Sequence, residues 1–380
     1  MRELNAEQKA LLALVQGALF CSKEVPKEID LTKLVDLANR QGVLSLLYLG
    51  AKRIKDQFSV DTLRSWRGDM LAGAVRNESV NAVQQEVLGL FAKHDIRSAI
   101  LKGLSAARYY PQPEVRVLGD IDLLIDPENV PRVDQLLKSA AYKPITNDHA
   151  FHMSYIKDGI TIEIHRVATE VPESSGGRVA MEYVQRFLGE AQMVEVGGVV
   201  FPALSEPHHA LMMLLHMERH MLETGIGLRQ LCDWAVYMNA ANKQIWSQAT
   251  VAMLKNCGLW VYAKVITKVC VKFLGLDGEK AQWCLDIDEK LVDGVICDVF
   301  QNGNLGAANG NGLSSVFIDR RTLGNGITGK VIGLLKKITS IAYKQFPKTR
   351  RYKFLVPLMW FYIPGRYMFR LLRGENLQVN

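Results

Sequence analysis

Two aspartates, Asp120 and Asp122, have the spacing in this chain that most clearly points to chemistry. They lie in an apolar run that predicts a β-strand, and alternate side chains of a strand share a face, so both carboxylates point the same way. Two like charges side by side repel each other and lose hydration together. A cation between them removes that cost, and hard oxygen ligands suit Mg²⁺. The pair therefore predicts a divalent-metal site.

A basic residue and a glycine turn precede this pair. Lys102 and Gly103 end another apolar run, residues 96–101, which predicts a second strand. A short helix and Arg116 separate that turn from the aspartates. Strand, glycine turn, short helix, basic residue and paired carboxylates are together the layout of a site for a metal-bound triphosphate. Because Asp-x-Asp alone is common on strands, this wider layout is what favours catalysis over a plain acidic surface.

A third carboxylate, Glu163, lies on a predicted hairpin further along the chain. Residues 160–166 alternate apolar and polar side chains, as a half-buried strand does. The dipeptide Asp158-Gly159 joins them to the preceding run, residues 151–157, and is a strong hairpin-turn signal. We expect Glu163 to face the two aspartates from a neighbouring strand.

At this point the residues resemble a known family. Residues 96–166 are similar to the nucleotidyltransferase superfamily with the polymerase-beta-type fold, and more closely to a bacterial branch described as uncharacterised nucleotidyltransferases. That branch carries Lys-Gly, Tyr-Pro, Arg and Gly-Asp-Ile-Asp, which stand here as Lys102-Gly103, Tyr110-Pro111, Arg116 and Gly119 to Asp122. The resemblance continues more weakly through residues 204–240.

The resemblance implies an α+β fold, in which a polymerase-beta-like core with a small mixed sheet is flanked by N- and C-terminal helical regions. It also implies metal-dependent transfer of an NMP group from an NTP to a hydroxyl-bearing acceptor, with release of pyrophosphate. Mg²⁺ or Mn²⁺ is the expected metal, and ATP the expected donor. In the superfamily the position of Glu163 is often Asp, which serves as a metal ligand or as the base for the acceptor hydroxyl. Here the side chain is one methylene longer.

The expected site has three groups of residues. Catalysis and metal binding are assigned to Asp120, Asp122 and Glu163. Nucleotide binding is assigned to Lys102, Gly103, Ser105, Arg116, Gly119, Arg229 and Asp233. In this scheme the turn from Gly103 to Ser105 lets backbone amides approach the phosphates, and Lys102 or Arg116 offsets charge on the departing pyrophosphate. His165 either contacts phosphate or acceptor or is a histidine satisfied by a neighbour's hydrogen bond.

The helical region after the core contains further polar residues whose function the sequence leaves open. The resemblance places Arg229 and Asp233 on a helix that closes the nucleotide cleft, although their four-residue spacing also fits a simple helix ion pair. His209, His216 and His220 fall near one helical face, which invites a metal interpretation. Met and Leu dominate around them without carboxylates at matched spacing, so core or rim histidines are favoured.

Length and composition indicate several units in a reducing compartment. A chain of 380 residues exceeds one ordinary domain. We expect an N-terminal helical region at 1–95, the nucleotidyltransferase core at 96–203, a helical domain closing the cleft at 204–300, and a basic, aromatic-rich region at 301–380. The six scattered cysteines include no C-x-x-C pair, so neither a disulfide partner nor a zinc site is expected. With no signal-peptide pattern at the N-terminus, the cytoplasm is the expected location.

The basic charge of the chain is concentrated near its C-terminus. Residues 320–374 contain thirteen Lys or Arg and no acid, and the other 33 Lys and Arg against 39 Asp and Glu give −6 for the rest. Prolines and an arginine interrupt the aromatic run 354–372, so a transmembrane helix is a poor fit. The segment could contact an anionic membrane peripherally at its inner face. Packing against the protein, with Lys and Arg stems covering apolar surface, is the favoured alternative.

A function of another class competes with the transferase prediction. Glu at position 163, and Lys-Gly where the superfamily more usually has Gly-Ser, also fit a catalytically weak nucleotide-binding or scaffold protein on a membrane assembly. Nucleic-acid binding ranks third, since only the basic segment supports it. The absence of Gly-x-Gly-x-x-Gly and of a Walker loop argues against Rossmann and P-loop chemistry. The acceptor could be a sugar, a small hydroxylated metabolite, a protein side chain or an RNA end.

Overall fold

The computed structural model describes residues 3–20, 24–26, 28–145, 151–171, 174–223, 225–241, 248–302, 339, 349 and 353–362. Residues 1–307 form one compact unit and residues 308–380 form another. Most of the basic segment 320–374, and nearly all of the Gly/Asn-rich stretch 302–311 that the sequence predicts to be a loop, lie outside the described residues. The second unit contains a short 3₁₀ helix, Lys353–Leu355, which continues as α-helix through residues 356–362.

Helices precede and follow the strands of the first unit. The α-helices are α1 (Ala6–Leu19), α2 (Leu31–Arg40), α3 (Leu44–Arg53), α4 (Val60–Lys93), α5 (Leu104–Ala107), α6 (Val130–Ser139), α7 (Ser175–Val184), α8 (Glu206–Glu223), α9 (Leu228–Ala240), α10 (Gln248–Asn256), α11 (Trp260–Val269) and α12 (Glu289–Asn302). Shorter 3₁₀ or π turns occur at Lys55–Gln57, Pro113–Val115, Pro127–Asn129, Cys270–Leu274 and Gly278–Cys284. The helix predicted to start at Asp30 is confirmed, because the Asp30 side chain caps α2 by accepting hydrogen bonds from the N–H groups of Thr32 and Lys33.

Seven strands form one mixed sheet. They are β1 (Ser98–Ile100), β2 (Ile121–Ile125), β3 (Lys143–Ile145), β4 (His152–Lys157), β5 (Ile160–His165), β6 (Gln192–Val196) and β7 (Val199–Ala203). Their order across the sheet is β3-β4-β5-β2-β1-β7-β6. β2 runs parallel to β5 and β1 parallel to β7, while the other neighbours are antiparallel. The predicted α+β fold with a mixed sheet between helical regions is therefore confirmed.

The two faces of the central strand β2 have different roles. Ile121, Leu123 and Ile125 point into a buried core that also contains Val87 and Phe91 of α4. Alternation then places Asp122 and Leu124 on the opposite face. Burial of the apolar face fixes the register of the strand, since a one-residue slip would drive the carboxylate into the core. The hydrophobic pattern of β2 thus decides which way Asp122 points.

The hairpin predicted at Asp158-Gly159 is present, and so is a second one that the Gly197-Gly198 dipeptide predicts from the sequence. β4 and β5 are joined at Asp158 and Gly159, which have φ of 51° and 75°, as a tight turn between antiparallel strands requires. β6 and β7 are joined through a Gly-Gly turn. The sequence also predicts a helix start at Asp126-Pro127, and a 3₁₀ helix does begin at Pro127 with Asp126 before it. The predicted capping hydrogen bond is absent, because Asp126 instead pairs with Arg97, at 3.1 Å between Nη2 and Oδ2.

No helix in the described part of the chain is both long enough and apolar enough to cross a membrane.

Candidate active site

Parallel pairing of β2 with β5 brings two of the predicted carboxylates side by side. Asp122 is the direct register partner of Glu163. Asp122 is buried, whereas the Glu163 side chain is 22% exposed at the edge of the site. Asp120 lies just before β2, two residues from Asp122, and is exposed. The carboxylates thus collect at one place on the sheet, partly open to solvent.

Lys102 is the cation nearest to this group. The N–H of Leu101 donates to the carbonyl oxygen of Asp122 at 3.0 Å, which extends the β1–β2 ladder by one residue and places Lys102 beside the aspartate. The Lys102 Nζ lies 2.8 Å from Asp122 Oδ1. Burial raises the pKa of Asp122, but Lys102 and His165 outweigh burial and hold this pKa well below its ordinary value. Asp122 is therefore an anion here.

Asp120, the other aspartate of the pair, has different electrostatic surroundings from Asp122. The pKa of Asp120 is raised, because the site removes part of its hydration and because Asp122 and Glu163 add like charge. A neighbouring carboxylate pair with one lysine is an arrangement that a divalent cation would stabilise, and carboxylate oxygens are the ligands that Mg²⁺ and Mn²⁺ accept. The residues present therefore fit the divalent metal that the sequence predicts.

Two histidines extend this cluster along β4 and β5. His165 Nε2 lies 3.1 Å from Asp122 Oδ1 and 3.3 Å from Glu163 Oε2. His152 Nε2 lies 3.5 Å from Glu163 Oε1. Sequence reasoning identified His165 and missed His152. The signal was present, since a two-residue turn at 158–159 pairs 157 with 160 and, counting outward, 152 with 165, which is the observed register.

The turn at Gly103 has a backbone conformation that favours glycine. Ser105, two residues later, does not face a ligand site. Gly103 has φ +64° and ψ −115°, a conformation that costs side-chain-bearing residues strain. Ser105 is fully buried, its N–H donates to the Lys102 carbonyl oxygen at 3.2 Å, and its hydroxyl lies 3.5 Å from His209 Nδ1. Our expectation that Ser105 binds phosphate is therefore corrected: the short helix α5 turns it into the core.

Arg116 and Asp233, both predicted to bind nucleotide, bind each other. Arg116 donates from Nε to Asp233 Oδ1 at 2.9 Å and from Nη2 to Asp233 Oδ2 at 2.8 Å, a bidentate pair. Tyr110 donates its hydroxyl to the same carboxylate at 2.8 Å. Only 7% of the Arg116 side chain and 11% of the Asp233 side chain are exposed. These two groups are committed to one another in the described structure, and their assignment to the nucleotide site stays a prediction.

A helix residue holds the loop that carries Arg116. Asn77 of α4 donates to the carbonyl oxygens of Glu114 and Arg116 at 2.9 and 3.0 Å, and its Oδ1 accepts from the Leu118 N–H at 2.8 Å. Asn77 is buried, so these hydrogen bonds are shielded from water. The loop that enters Gly119 and Asp120 is thereby fixed from one side by Asn77 and from the other by the Arg116–Asp233 pair.

Arg229 lies near the same loop as Arg116, but other protein groups engage its guanidinium less fully. Its guanidinium Nη1 would lie 4.0 Å from a Cβ placed on Gly119, so it sits directly over the loop before Asp120. Its Nε is buried and has no hydrogen-bond partner among the described residues. Burial, and after it the nearby Arg116, lower the pKa of Arg229. Arg229 and Asp233 do not form the alternative helix ion pair, because the Asp233 carboxylate is paired with Arg116.

Helix α8 supplies histidines that reach different surroundings. His209 is buried against Ser105 and Tyr237. The rings of His216 and His220 pack edge to face, with centroids 4.3 Å apart. Burial lowers the pKa of both, with Lys102 adding to the effect, and brings that of His220 to about 4. His216 and His220 are therefore neutral imidazoles near the Lys102–Asp122 pair, a neighbourhood that the core-or-rim prediction did not include.

Three solved structures are similar to parts of this chain. The lincomycin-bound lincosamide antibiotic adenylyltransferase LnuA is 19% identical over 34% of this chain and 82% of its own, with a TM-score of 0.25. The antibiotic-resistance factor ANT(2'')-Ia is 10% identical over 55% and 90%, with a TM-score of 0.28. An antigenic nucleotidyltransferase-like protein from Paracoccidioides brasiliensis is 15% identical over 53% and 92%, with a TM-score of 0.32. TM-scores this low carry no weight for substrate or mechanism.

The sequence match to a family is more informative. No curated protein matches the chain. The model of the family described as uncharacterised nucleotidyltransferase matches residues 27–275. That is more than half of the chain, and it spans the glycine turn, the aspartates, Glu163 and helix α9. The chain therefore belongs to the uncharacterised nucleotidyltransferase family and is an enzyme of the nucleotidyltransferase class.

Proposed function

We propose that the chain transfers an NMP group from an NTP, ATP being the expected donor, to a hydroxyl-bearing acceptor at the face of β2 and β5. The observation that carries this proposal is the register of these two strands, which sets Asp122 beside Glu163 with Asp120 close by. Asp120, Asp122 and Glu163 would hold a divalent ion, Mg²⁺ or Mn²⁺. When bound, that ion would neutralise charge on the triphosphate and on departing pyrophosphate.

The protein's own cations have separate roles in this scheme. Lys102 neutralises Asp122 in the described structure, and with its side chain 28% exposed it can turn from Asp122 towards a phosphate oxygen. Arg229, whose Nη1 lies over Gly119, is placed to contact a phosphate through its guanidinium group. Arg116 and Asp233 are positioning residues in this proposal, since they fix the loop before Asp120. The positive φ of Gly103 allows the chain to turn sharply between β1 and α5.

In the proposed transfer step, a carboxylate can accept the proton of the acceptor's hydroxyl group. The acceptor's hydroxyl oxygen bonds to the α-phosphorus, the bond from that phosphorus to the oxygen bridging to the β-phosphate breaks, and pyrophosphate leaves with the electron pair. Glu163 accepts the hydroxyl proton or holds the metal, since its side chain lies at the open edge of the cluster. His165 contacts both Glu163 and Asp122 through its Nε2 atom and helps to orient them. The acceptor can be a sugar, a small metabolite, a protein side chain or an RNA end.

The test is direct detection of the product. The purified chain is incubated with each labelled NTP and Mg²⁺ or Mn²⁺, together with protein, RNA and metabolite pools, and the pools are analysed by mass spectrometry. An added NMP mass on one pool, with release of pyrophosphate, identifies the acceptor class. Binding of NTP without any transfer from any of the four nucleotides would reject the transferase proposal in favour of a weak nucleotide-binding protein.

A second candidate function, docking on an anionic membrane, is favoured by one observation in the second unit. Phe354, Leu358 and Phe361 are 73%, 61% and 81% exposed on a short helical stretch. They lie within the segment 320–374, which has thirteen basic residues and no acid. Exposed aromatic side chains with basic neighbours suit the interface of an anionic bilayer. In this alternative the cluster on the sheet binds nucleotide weakly and the chain acts at the inner face of the membrane.

Co-sedimentation with vesicles separates this candidate from the first. Each basic residue at an anionic surface contributes about 1 kcal/mol, so a few suffice for measurable binding. The candidate requires binding to vesicles with anionic lipid, loss of binding as salt rises, and weaker binding of Phe361→Ser. Equal binding to neutral vesicles, or none to either kind, rejects it and leaves NMP transfer unaffected.

A further inference from the structure

The end of the β4–β5 hairpin carries a group of metal-ligating atoms, of which the nucleotidyltransferase scheme uses only Glu163 as a metal ligand. One ligand atom each from His152, Glu163 and His165 lies within 4.8 Å of the other two, and among the described residues no other such group of three is present. Glu163 sits between the imidazoles, with Oε1 towards His152 and Oε2 towards His165. The group is half-buried, with 10%, 22% and 9% of the three side chains exposed.

The hairpin itself enforces this arrangement. The two-residue turn sets His152 directly opposite His165 and Ser154 opposite Glu163. Residues two apart on a strand share a face, so both histidines and the glutamate must point to the same side of the sheet. The imidazole centroids lie 5.0 Å apart with the ring planes 43° from one another. The rigid pairing of two strands, rather than a loop, therefore holds the three side chains.

The distances match those of a metal centre with nitrogen ligands. In a tetrahedral site with bonds of roughly 2.0–2.1 Å, two ligand atoms lie about 3.3 Å apart. The observed separations from Glu163 are 3.5 Å to His152 and 3.3 Å to His165. Mg²⁺ prefers oxygen ligands only, whereas imidazole suits zinc and other first-row transition metals. The donor set thus differs in kind from the Asp120–Asp122 pair beside it.

We infer that His152, Glu163 and His165 bind a first-row transition-metal ion, for which Zn²⁺ is the probe ion. Three protein ligands leave a coordination position for water or a substrate oxygen, as in catalytic rather than structural zinc sites. Because Glu163 belongs to both sites, any role of this ion in transfer rests on the proposed function. The ion binding itself does not, so the two can be tested separately.

The test measures metal affinity on the full chain, purified without a histidine tag. Metal content is measured on the protein as isolated, and after chelation Zn²⁺ is titrated in competition with a chromophoric chelator, while Co²⁺ is followed by its visible absorption. We expect one equivalent of Zn²⁺ per chain. His152→Ala should weaken Zn²⁺ binding by more than about 100-fold, because loss of even an outer-shell partner costs up to that factor. His94→Ala, which changes a histidine outside the group, should bind as the unaltered chain does.

The remaining variants make failure of the two proposals distinguishable. Asp120→Asn should keep the Zn²⁺ affinity and lose NMP transfer, since Asp120 is not in the group. Absence of stoichiometric Zn²⁺ binding by the unaltered chain, or unchanged Zn²⁺ binding by His152→Ala, overturns the inference whatever the activity. Zn²⁺ binding in a chain without transfer overturns only the proposed function. Melting curves without metal, and the milder His152→Asn, exclude loss of the fold as the cause of weakened binding.

Discussion

Two clusters of buried charge lie close together in this protein and are built differently. In one, Arg116, Asp233 and Tyr110 satisfy one another through three hydrogen bonds, and little of the pair is exposed. In the other, Lys102 is the nearest cation to a carboxylate group of Asp122 and its neighbours, and its side chain remains partly exposed. The first cluster is complete, whereas the second has surplus negative charge.

The difference separates structural charge from functional charge. A closed pair with excellent geometry offsets its own desolvation and has nothing left for a ligand. A cluster with excess charge stays unfavourable until a cation joins it, and the raised pKa of Asp120 reflects that excess. Burial and perturbed pKa values occur in both clusters, so neither property identifies the site. Unbalanced charge at a partly open position is the property that favours the second cluster as the proposed site.

The largest expected effect is on activity, from the open cluster. Asp122→Asn should lower NMP transfer at least about 10³-fold, because loss of several kcal/mol of metal-dependent stabilisation translates into that factor. The protein should remain folded, since the Lys102 side chain is partly exposed and water can solvate its charge. Asp126→Asn is the matched control, because Asp126 follows the same strand but pairs with Arg97 at the surface. Steady-state rates and thermal melting measure both; full turnover by Asp122→Asn would place the site elsewhere.

The next effect is on stability, from the closed cluster. Asp233→Asn leaves the Arg116 guanidinium buried without its counter-ion, which should lower the free energy of unfolding by about 3–5 kcal/mol. Tyr110→Phe removes only one hydrogen bond to the same carboxylate and should cost about 1 kcal/mol. Denaturant unfolding measures both. If Asp233→Asn were fully stable and yet unable to bind NTP, Asp233 would be a ligand and the two clusters would not differ as we describe.

Arg229 should behave as a member of the open cluster although it lies beside the closed one. Arg229→Gln removes a charged donor, and hydrogen bonds to charged groups contribute about 1.5–3 kcal/mol, so KM for NTP should rise about 10–100-fold. Its kcat should change less, because the contact exists before and during transfer. Arg97→Gln, at a surface ion pair, is the control. A stability loss in Arg229→Gln with unchanged KM would assign Arg229 to the structural cluster.

The smallest effect concerns the turn that presents Lys102. Gly103→Ala should lower the free energy of unfolding by about 1–2 kcal/mol, because a Cβ disfavours positive φ. The added methyl would find its nearest neighbour, Leu118 Cδ2, at 3.8 Å, so the cost is conformational rather than steric. Gly89→Ala, in α4 with open space around it, should instead stabilise by about 0.5–1 kcal/mol. Opposite signs for the two glycines would establish that the backbone at Gly103 is strained for other residues.

Local features of the site were predictable because short-range chemistry determines them. The Asp-x-Asp strand, the Asp-Gly hairpin and the Gly-Gly hairpin follow from side-chain alternation and turn residues within a few positions. The same pairing rule, extended along the hairpin, places His152 opposite His165. The pairing of β2 with β5 joins strands that are distant in the sequence. The expectation that Glu163 lies beside the aspartates therefore relied on the family resemblance as well as on side-chain alternation.

The sequence by itself determined the strands and the turns, since each depends on neighbours close in the chain. Only the tertiary structure decided which charges were already satisfied. Arg116 and Asp233 are separated by 117 positions and Ser105 and His209 by 104, so no periodicity could pair them. The residue types and sequence positions of these four side chains are the same whether they contact phosphate or one another. Packing brings Asp233 of α9 to Arg116 and His209 of α8 to Ser105. Each of these side chains is therefore buried against a protein partner.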